Sequence, residues 1–191
     1  MVSTGSKTQQ FILKALIPVI CSIIVGYIFY QEGVFNRYHG SFQFVWSAVV
    51  ASVFYYLLVF LRPRDAYLGF LILLLLTFVT TQSTRPSFIL RDIFYTMAIG
   101  VSIFVYFKYF RQGSKLNYAY PAVTLAGIYG VVYIIASEIH LGIIRYFVME
   151  DTGGTFLGLA STTAFFGVLI GFAVGIGITL AERIFGSQKN Q

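Results

Sequence analysis

Residues 156–180 read FLGLASTTAFFGVLIGFAVGIGITL, 25 positions without a charged side chain. A hydrocarbon core about 30 Å thick is crossed by roughly 20 apolar residues of helix, so this stretch is long enough to span a bilayer. Small residues recur within it: Ala160, Ala164, Gly167, Gly171 and Gly175 follow one another at steps of three and four, in one stripe along a helix face. The preceding apolar run repeats the device with Ala119, Ala122, Ala126, Gly130, Tyr133, Ser137 and His140. Helices five and six are therefore expected to pack closely, with Ala126, Gly130, Ala160, Ala164, Gly167, Gly171 and Gly175 at the contact.

Working outward, five further runs of the same kind appear, at about 11–30, 42–61, 66–83, 93–110 and 119–139. They are too long and continuous for barrel strands of about ten residues, and backbone groups in lipid must be paired within their own segment. The expected fold class is all-α: a polytopic membrane protein, a single transmembrane domain over residues 1–191, built as a six-helix bundle. Composition agrees, since 58% of the 191 residues are hydrophobic and 10% charged, against about 25% charged in soluble domains. Lys7 and Lys14 flank the start of the first run, but no A-x-A site follows it. An uncleaved span is expected.

The net charge of +6 would suit nucleic acid if it lay on one soluble face, but the basic residues sit in short segments between apolar runs. Their role is orientation. Lys7, Lys14, Arg62, Arg64, Lys108, Arg111, Lys115, Arg183 and Lys189 fall on the side of both termini, whereas Arg37, Arg85, Arg91 and Arg145 fall on the other. By the positive-inside rule both termini are cytoplasmic, in a multi-pass protein of the cell inner membrane. Tyr55, Tyr56, Tyr67, Tyr106, Tyr109, Tyr118 and Tyr120 near one boundary, and Tyr27, Tyr30, Tyr38 and Tyr146 near the other, are read as aromatic belts. The connections are too short to fold alone.

An offset of 80 residues aligns 22–38 with 102–118, pairing Ser22 with Ser102, Ile23 with Ile103, Val25 with Val105, Gly33 with Gly113 and Tyr38 with Tyr118. Three spans separate the two, so a duplication would give halves of opposite orientation, as in many secondary carriers. Chance similarity in a chain rich in Ile, Val, Phe and Tyr is the plainer account.

Charge inside the apolar pattern singles out residues 134–151, IIASEIHLGIIRYFVMED. His140 extends the small-residue stripe of helix five, while Glu138 lies about 200° around the axis from it. Glu138, Gly142 and Arg145 share another face. One reading ends the helix near Glu138 and lays the remainder in the interface. The other gathers Glu138, His140, Ser137 and Tyr133 with Thr77, Thr80, Thr81 and Arg145 into a polar vestibule in the outer leaflet, joined by Gln43, Ser47 and Ser161 to Thr163. A carboxylate there would be the group best placed to hold a proton or cation.

Several chemistries are set aside. Cys21 is the only cysteine, His39 and His140 are the only histidines, and no G-x-S-x-G, H-E-x-x-H or P-loop occurs. No catalytic residue, metal or cofactor is expected, and an enzyme is the less favoured reading. In size and span number the chain is similar to the membrane substrate-binding subunits of energy-coupling vitamin transporters and to small envelope-morphogenesis proteins, but it carries no diagnostic motif of either, and such likeness does not carry function. Two functions are expected: a transport-related subunit binding a small solute or ion, or a non-catalytic scaffold of a membrane complex. The partners are then the lipid bilayer and, for the scaffold, other membrane subunits or a homo-oligomer. Nucleic acid is not among them.

Overall fold

The computed structural model describes residues 7–31, 39–80, 86–111, 119–143 and 156–186. Six helices account for nearly all of them: α1 (Lys7–Gln31), α2 (His39–Phe60), α3 (Pro63–Thr80), α4 (Pro86–Val105, continued by a π-helical turn at Tyr106–Phe110), α5 (Tyr120–Ile143) and α6 (Phe156–Gly186). Each apolar run of the sequence is one helix. Three of the four prolines stand in a first turn, Pro63 and Pro86 at the first residue and Pro121 at the second, where the missing N–H is no loss. The fourth, Pro18, lies inside α1, and Ser22 donates to its carbonyl at 2.8 Å.

Most boundaries lie a few residues from those of the apolar runs, and two of the differences bear on polar residues. Helix α4 starts at Pro86 rather than near residue 93, so Arg91 and Asp92 are helical rather than loop. They stay there because Arg91 Nε donates to Asp92 Oδ1 at 3.1 Å and Gln43 Nε2 of α2 donates to the same oxygen at 3.2 Å. Helix α5 runs past Glu138 to Ile143, so the first residues of the stretch assigned to the interface continue the helix.

Cross-helix contacts fix the directions. Phe11 meets Phe60 and Gly26 meets Phe44, so α1 and α2 are antiparallel. Thr96 meets Thr77 and Tyr67 meets Phe104, so α3 and α4 are too. By contrast, Gln43 with Asp92 and Tyr55 with Tyr106 make α2 and α4 parallel neighbours. The helices alternate in direction, and α1 begins at the same end of the bundle at which α6 finishes. In plan α1, α2, α4, α5 and α6 form a ring, with α2 touching α6 across it, and α3 packs against α2 and α4 from outside. Exchanging α1–α3 with α4–α6 would turn the α2–α4 contact into α5–α1 and the α2–α6 contact into α5–α3. Neither is a substantial contact among the described residues, so the plan lacks the symmetry of a duplicated half.

The α5–α6 contact is the most extensive. A Cβ added at Gly171 would stand 2.4 Å from the Leu125 carbonyl oxygen, one at Gly175 2.5 Å from Ala122 Cα, and one at Gly167 2.8 Å from the Tyr129 carbonyl oxygen. At Gly130 it would come within 2.9 Å of the Val168 side chain, and Ala126 is buried beside it. Only hydrogen at those positions lets the backbones meet. Helix α1 crosses α6 by the same means, where a Cβ at Gly177 would reach 2.2 Å from Pro18 Cα. Ala164 contributes its backbone oxygen opposite Gly130, and the side chain of Ala160 lies outside the described residues.

Polar side chains lie within the largely apolar interior, and apolar ones cover the outer faces of the helices. Ser22, Ser47, Ser52, Thr77, Thr96, Ser102, Ser137 and His140 are buried with Tyr56, Tyr106, Tyr129 and Tyr133. Ile12, Leu16, Ile20, Ile24 and Ile28 of α1 and Leu68, Leu71, Ile72, Leu75 and Val79 of α3 face outward. A soluble protein would turn polar side chains outward along α1 and α3, whereas lipid solvates the outer leucines and leaves buried polar groups to pair inside. Five helices, at Thr8–Gln31, Gln43–Phe60, Ile89–Phe110, Tyr120–Ile143 and Thr163–Phe185, are long and apolar enough to cross a membrane among the described residues.

The tyrosines divide differently from the belt reading. Tyr27, Tyr67 and Tyr109 are exposed, but Tyr55, Tyr56 and Tyr106 are buried. The correction has a local cause. The π-helical turn at Tyr106–Phe110 adds a residue to the helical repeat, so Tyr106 and Phe107 both meet Tyr55, each at 6.2 Å between ring centres.

Candidate functional site at the His140 end

Helix α5 presents Tyr133, Ser137 and His140 inward at steps of four and three, which is why all three are buried together. His140 lies against two rings of α4, with Phe94 at 6.1 Å and Tyr95 at 6.5 Å. Tyr95 stacks on Tyr133 at 5.2 Å with planes 4° apart, and Tyr129 follows one turn below at 5.8 Å from Tyr133. Ser47 of α2 faces the Tyr133 hydroxyl, short of hydrogen-bonding geometry. On the α6 side the Ser137 and Thr163 hydroxyls are 3.5 Å apart. Side chains of α2, α4 and α6 thus meet one face of α5, with the two α4 rings against the imidazole.

Thr77 belongs to a neighbouring cluster on the other side of α4. Its hydroxyl donates to the Leu73 carbonyl at 2.9 Å, accepts from Trp46 Nε1 at 2.9 Å and lies 3.4 Å from Thr96 Oγ1. Tyr95 and Thr96 are adjacent on α4 and point to the two clusters, so the helix stands between them. One open pocket holding every expected residue is therefore not what these contacts describe. They describe two polar patches at the same end of the bundle, divided by α4.

Glu138 sits 100° around α5 from Ser137, half-buried, and its Oε1 is shielded from solvent with no hydrogen-bond partner among the described residues. The side chain of Thr80 lies outside the described residues, as do Thr81 and Arg145 and the side chains of Ser161 and Thr162. Among the described residues no three His, Cys, Asp or Glu side chains group as a metal site would need.

The sequence reading passed over Trp46, Tyr95, Thr96, Tyr129 and the Gln43 pairing with Asp92. It also passed over a cluster at the opposite end. Lys14 of α1 pairs with Glu182 of α6 at 3.6 Å and lies 5.9 Å from the Phe60 ring centre, while Arg111 lies 4.8 Å over Phe107 and faces the Tyr55 hydroxyl. Glu182 is near enough to act on Tyr55 and Tyr56, which touch each other edge-on at 5.0 Å. Burial of these tyrosines had no signal in spacing, because it depends on which helix α2 meets.

Apolar helices with a polar interior mark a multi-pass membrane protein. No protein-family model, curated protein or solved structure matches the chain, so its function is argued from its own geometry.

Proposed function

We propose that this protein is a six-span subunit of a cell inner membrane, with the start of α1 and the end of α6 on the cytoplasmic side. It binds a small solute or ion in the outer leaflet, at the His140 end, as part of a transport function. The orientation rests on the excess of Lys and Arg at the Lys14 end. The sixth span is α3, whose 18 residues extend about 27 Å and turn leucines outward along their length.

One observation carries the binding reading: Ser47 of α2, Tyr95 of α4 and Thr163 of α6 all meet the Tyr133–Ser137–His140 face of α5 at one end of the bundle. Burying polar groups in hydrocarbon is costly, and intramembrane ionisable residues mark substrate and ion pathways. Glu138 Oε1 is an acceptor without a donor, suited to a cation, an amine or a proton. The alternative, a non-catalytic scaffold that docks other helices, has less surface to use. Gly167, Gly171, Gly175 and Gly177 are all taken up by contacts inside the chain.

The test is a thermal melt of the detergent-solubilised protein, followed through its single tryptophan and repeated with sodium, potassium, ammonium and calcium chlorides and with small amines. A specific ion or amine should raise the midpoint, and Glu138→Gln should abolish that rise while leaving the unliganded midpoint in place. If no addition moves the midpoint, or Glu138→Gln responds as the parent does, the binding reading fails.

A further inference from the structure

The buried hydroxyls do not stop at the His140 end. The inward face of α4 carries Tyr95, Ile99, Ser102 and Tyr106 at steps of four, three and four, and Ser102 and Tyr106 are fully buried. Helix α5 places Tyr133 and Tyr129 opposite its upper half. In the antiparallel register set by Tyr95 on Tyr133, Ser102 falls level with residues 126–129, and Tyr106 lies one turn further. Helix α2, parallel to α4, contributes Ser52 one turn before Tyr55 and Tyr56, and Tyr55 meets Tyr106. Glu182 closes the series, acting on Tyr55 and Tyr56.

From these positions we infer that α2, α4 and α5 enclose a column of hydroxyls conducting protons along the bundle, from His140 and Glu138 at one end to Glu182 at the other. The Tyr56 and Tyr129 hydroxyls and Glu182 Oε1 are each buried with no hydrogen-bond partner among the described residues, and Tyr133 only faces Ser47. Buried phenols are normally paired, and unpaired ones mark a place where water or a mobile proton completes the pairing. Ser52 and Ser102 donate to the carbonyls of Ala48 and Ala98 at 2.6 and 2.8 Å, which leaves their oxygens able to accept.

The transported species is the proton, relayed through bridging water. Each hydroxyl accepts a hydrogen on one side and releases one on the other, Ser52 and Ser102 by turning away from the Ala48 and Ala98 carbonyls, so every group ends with the hydrogen count it began with. A metal cation would need about six oxygens close around it, whereas this column offers one or two per level between stacked rings. Charged groups bound it at both ends. Arg91 and Asp92 of α4 lie at the His140 end, and Lys14 of α1 and Arg111 after α4 lie at the Glu182 end. The inference shares its entry point with the binding site at His140 but does not depend on a solute there.

The experiment uses the full chain in liposomes holding a pH-sensitive dye, with a potassium gradient and valinomycin supplying the voltage. The parent protein should acidify or alkalinise the lumen faster than protein-free liposomes. Tyr129→Phe keeps the ring and its contact with Tyr133 while removing the hydroxyl, and should slow the flux about tenfold, the loss of one hydrogen bond's worth of barrier stabilisation. Tyr56→Phe should act alike, and Tyr67→Phe, on the lipid-facing surface, should not. Flux from the parent equal to that of empty liposomes, or unchanged flux in both Tyr129→Phe and Tyr56→Phe, overturns the column. The parent protein separates the two proposals: a ligand-induced rise in midpoint with no flux above empty liposomes refutes the column alone, whereas flux that Tyr129→Phe and Tyr56→Phe slow, with no ligand-induced rise, supports the column and refutes the binding site alone.

Discussion

Alanine at Gly171 measures the closeness of α5 and α6. The new Cβ would meet the Leu125 carbonyl oxygen at 2.4 Å, together with its carbonyl carbon at 2.6 Å and Ala126 N at 2.8 Å. All three are backbone atoms of a regular helix, so no rotamer change relieves the clash. Restoring ordinary contact near 3.4 Å means moving the helices apart by about 1 Å at that level, which forfeits a quarter to a half of each dispersion contact nearby. Overpacking of this kind costs about 1–3 kcal/mol, and backbone contact on both sides argues for the upper half of that range. At about 2–4 °C per kcal/mol for a chain of this length, the melting midpoint should fall by roughly 4–12 °C. Gly127→Ala on the same α5 is the control, because nothing lies within 4 Å of its added Cβ. There the gain in helix propensity, about 1 kcal/mol at most, should hold or raise the midpoint. The assay is intrinsic fluorescence of Trp46 during heating in detergent. Equal midpoints for Gly171→Ala and Gly127→Ala would refute the close packing.

Thr77→Val removes the acceptor of Trp46 Nε1 at nearly constant shape, and should cost about 1–3 kcal/mol and shift the tryptophan emission. Lys14→Met and Glu182→Gln should each destabilise the protein, and the double variant should lose less than their sum; with Glu182 39% exposed the coupling should be about 0.5–1 kcal/mol in a double-mutant cycle. In a Cys21→Ser background, Gln31→Cys should react with a membrane-impermeant maleimide on intact cells, and Gln9→Cys only after the membrane is opened; the reverse pattern would invert the proposed orientation.

What the sequence revealed and what it hid follow from physical reach. Helices six in number were legible because each apolar run is longer than any alternative structure, and the Gly167–Gly171–Gly175 stripe was legible because spacing alone places it on one face. Tyr133, Ser137 and His140 were found by the same spacing. The start of α4 was misjudged because Arg91 and Asp92 look like loop residues until Gln43, nearly fifty positions away, is seen to bond one of them. Tyr106 was assigned to a boundary belt because nothing local announces a π-helical turn. Thr77 was grouped with His140 from depth alone, and depth does not say on which side of α4 a side chain falls. Lys14 was read for orientation alone and Glu182 was given no role, because the two partners belong to helices at opposite ends of the sequence.

The contact between Pro18 and Gly177 has a consequence for biosynthesis. Helix α1 leaves the ribosome well before its partner, since the notch it fits is translated 159 residues later. Until then Pro18 and its neighbours must be shielded by lipid or an insertion factor, and α2 must likewise wait for α4 while α3 stands aside. The ring therefore closes in one late event, and chains stalled before α6 should be prime targets for membrane proteolysis.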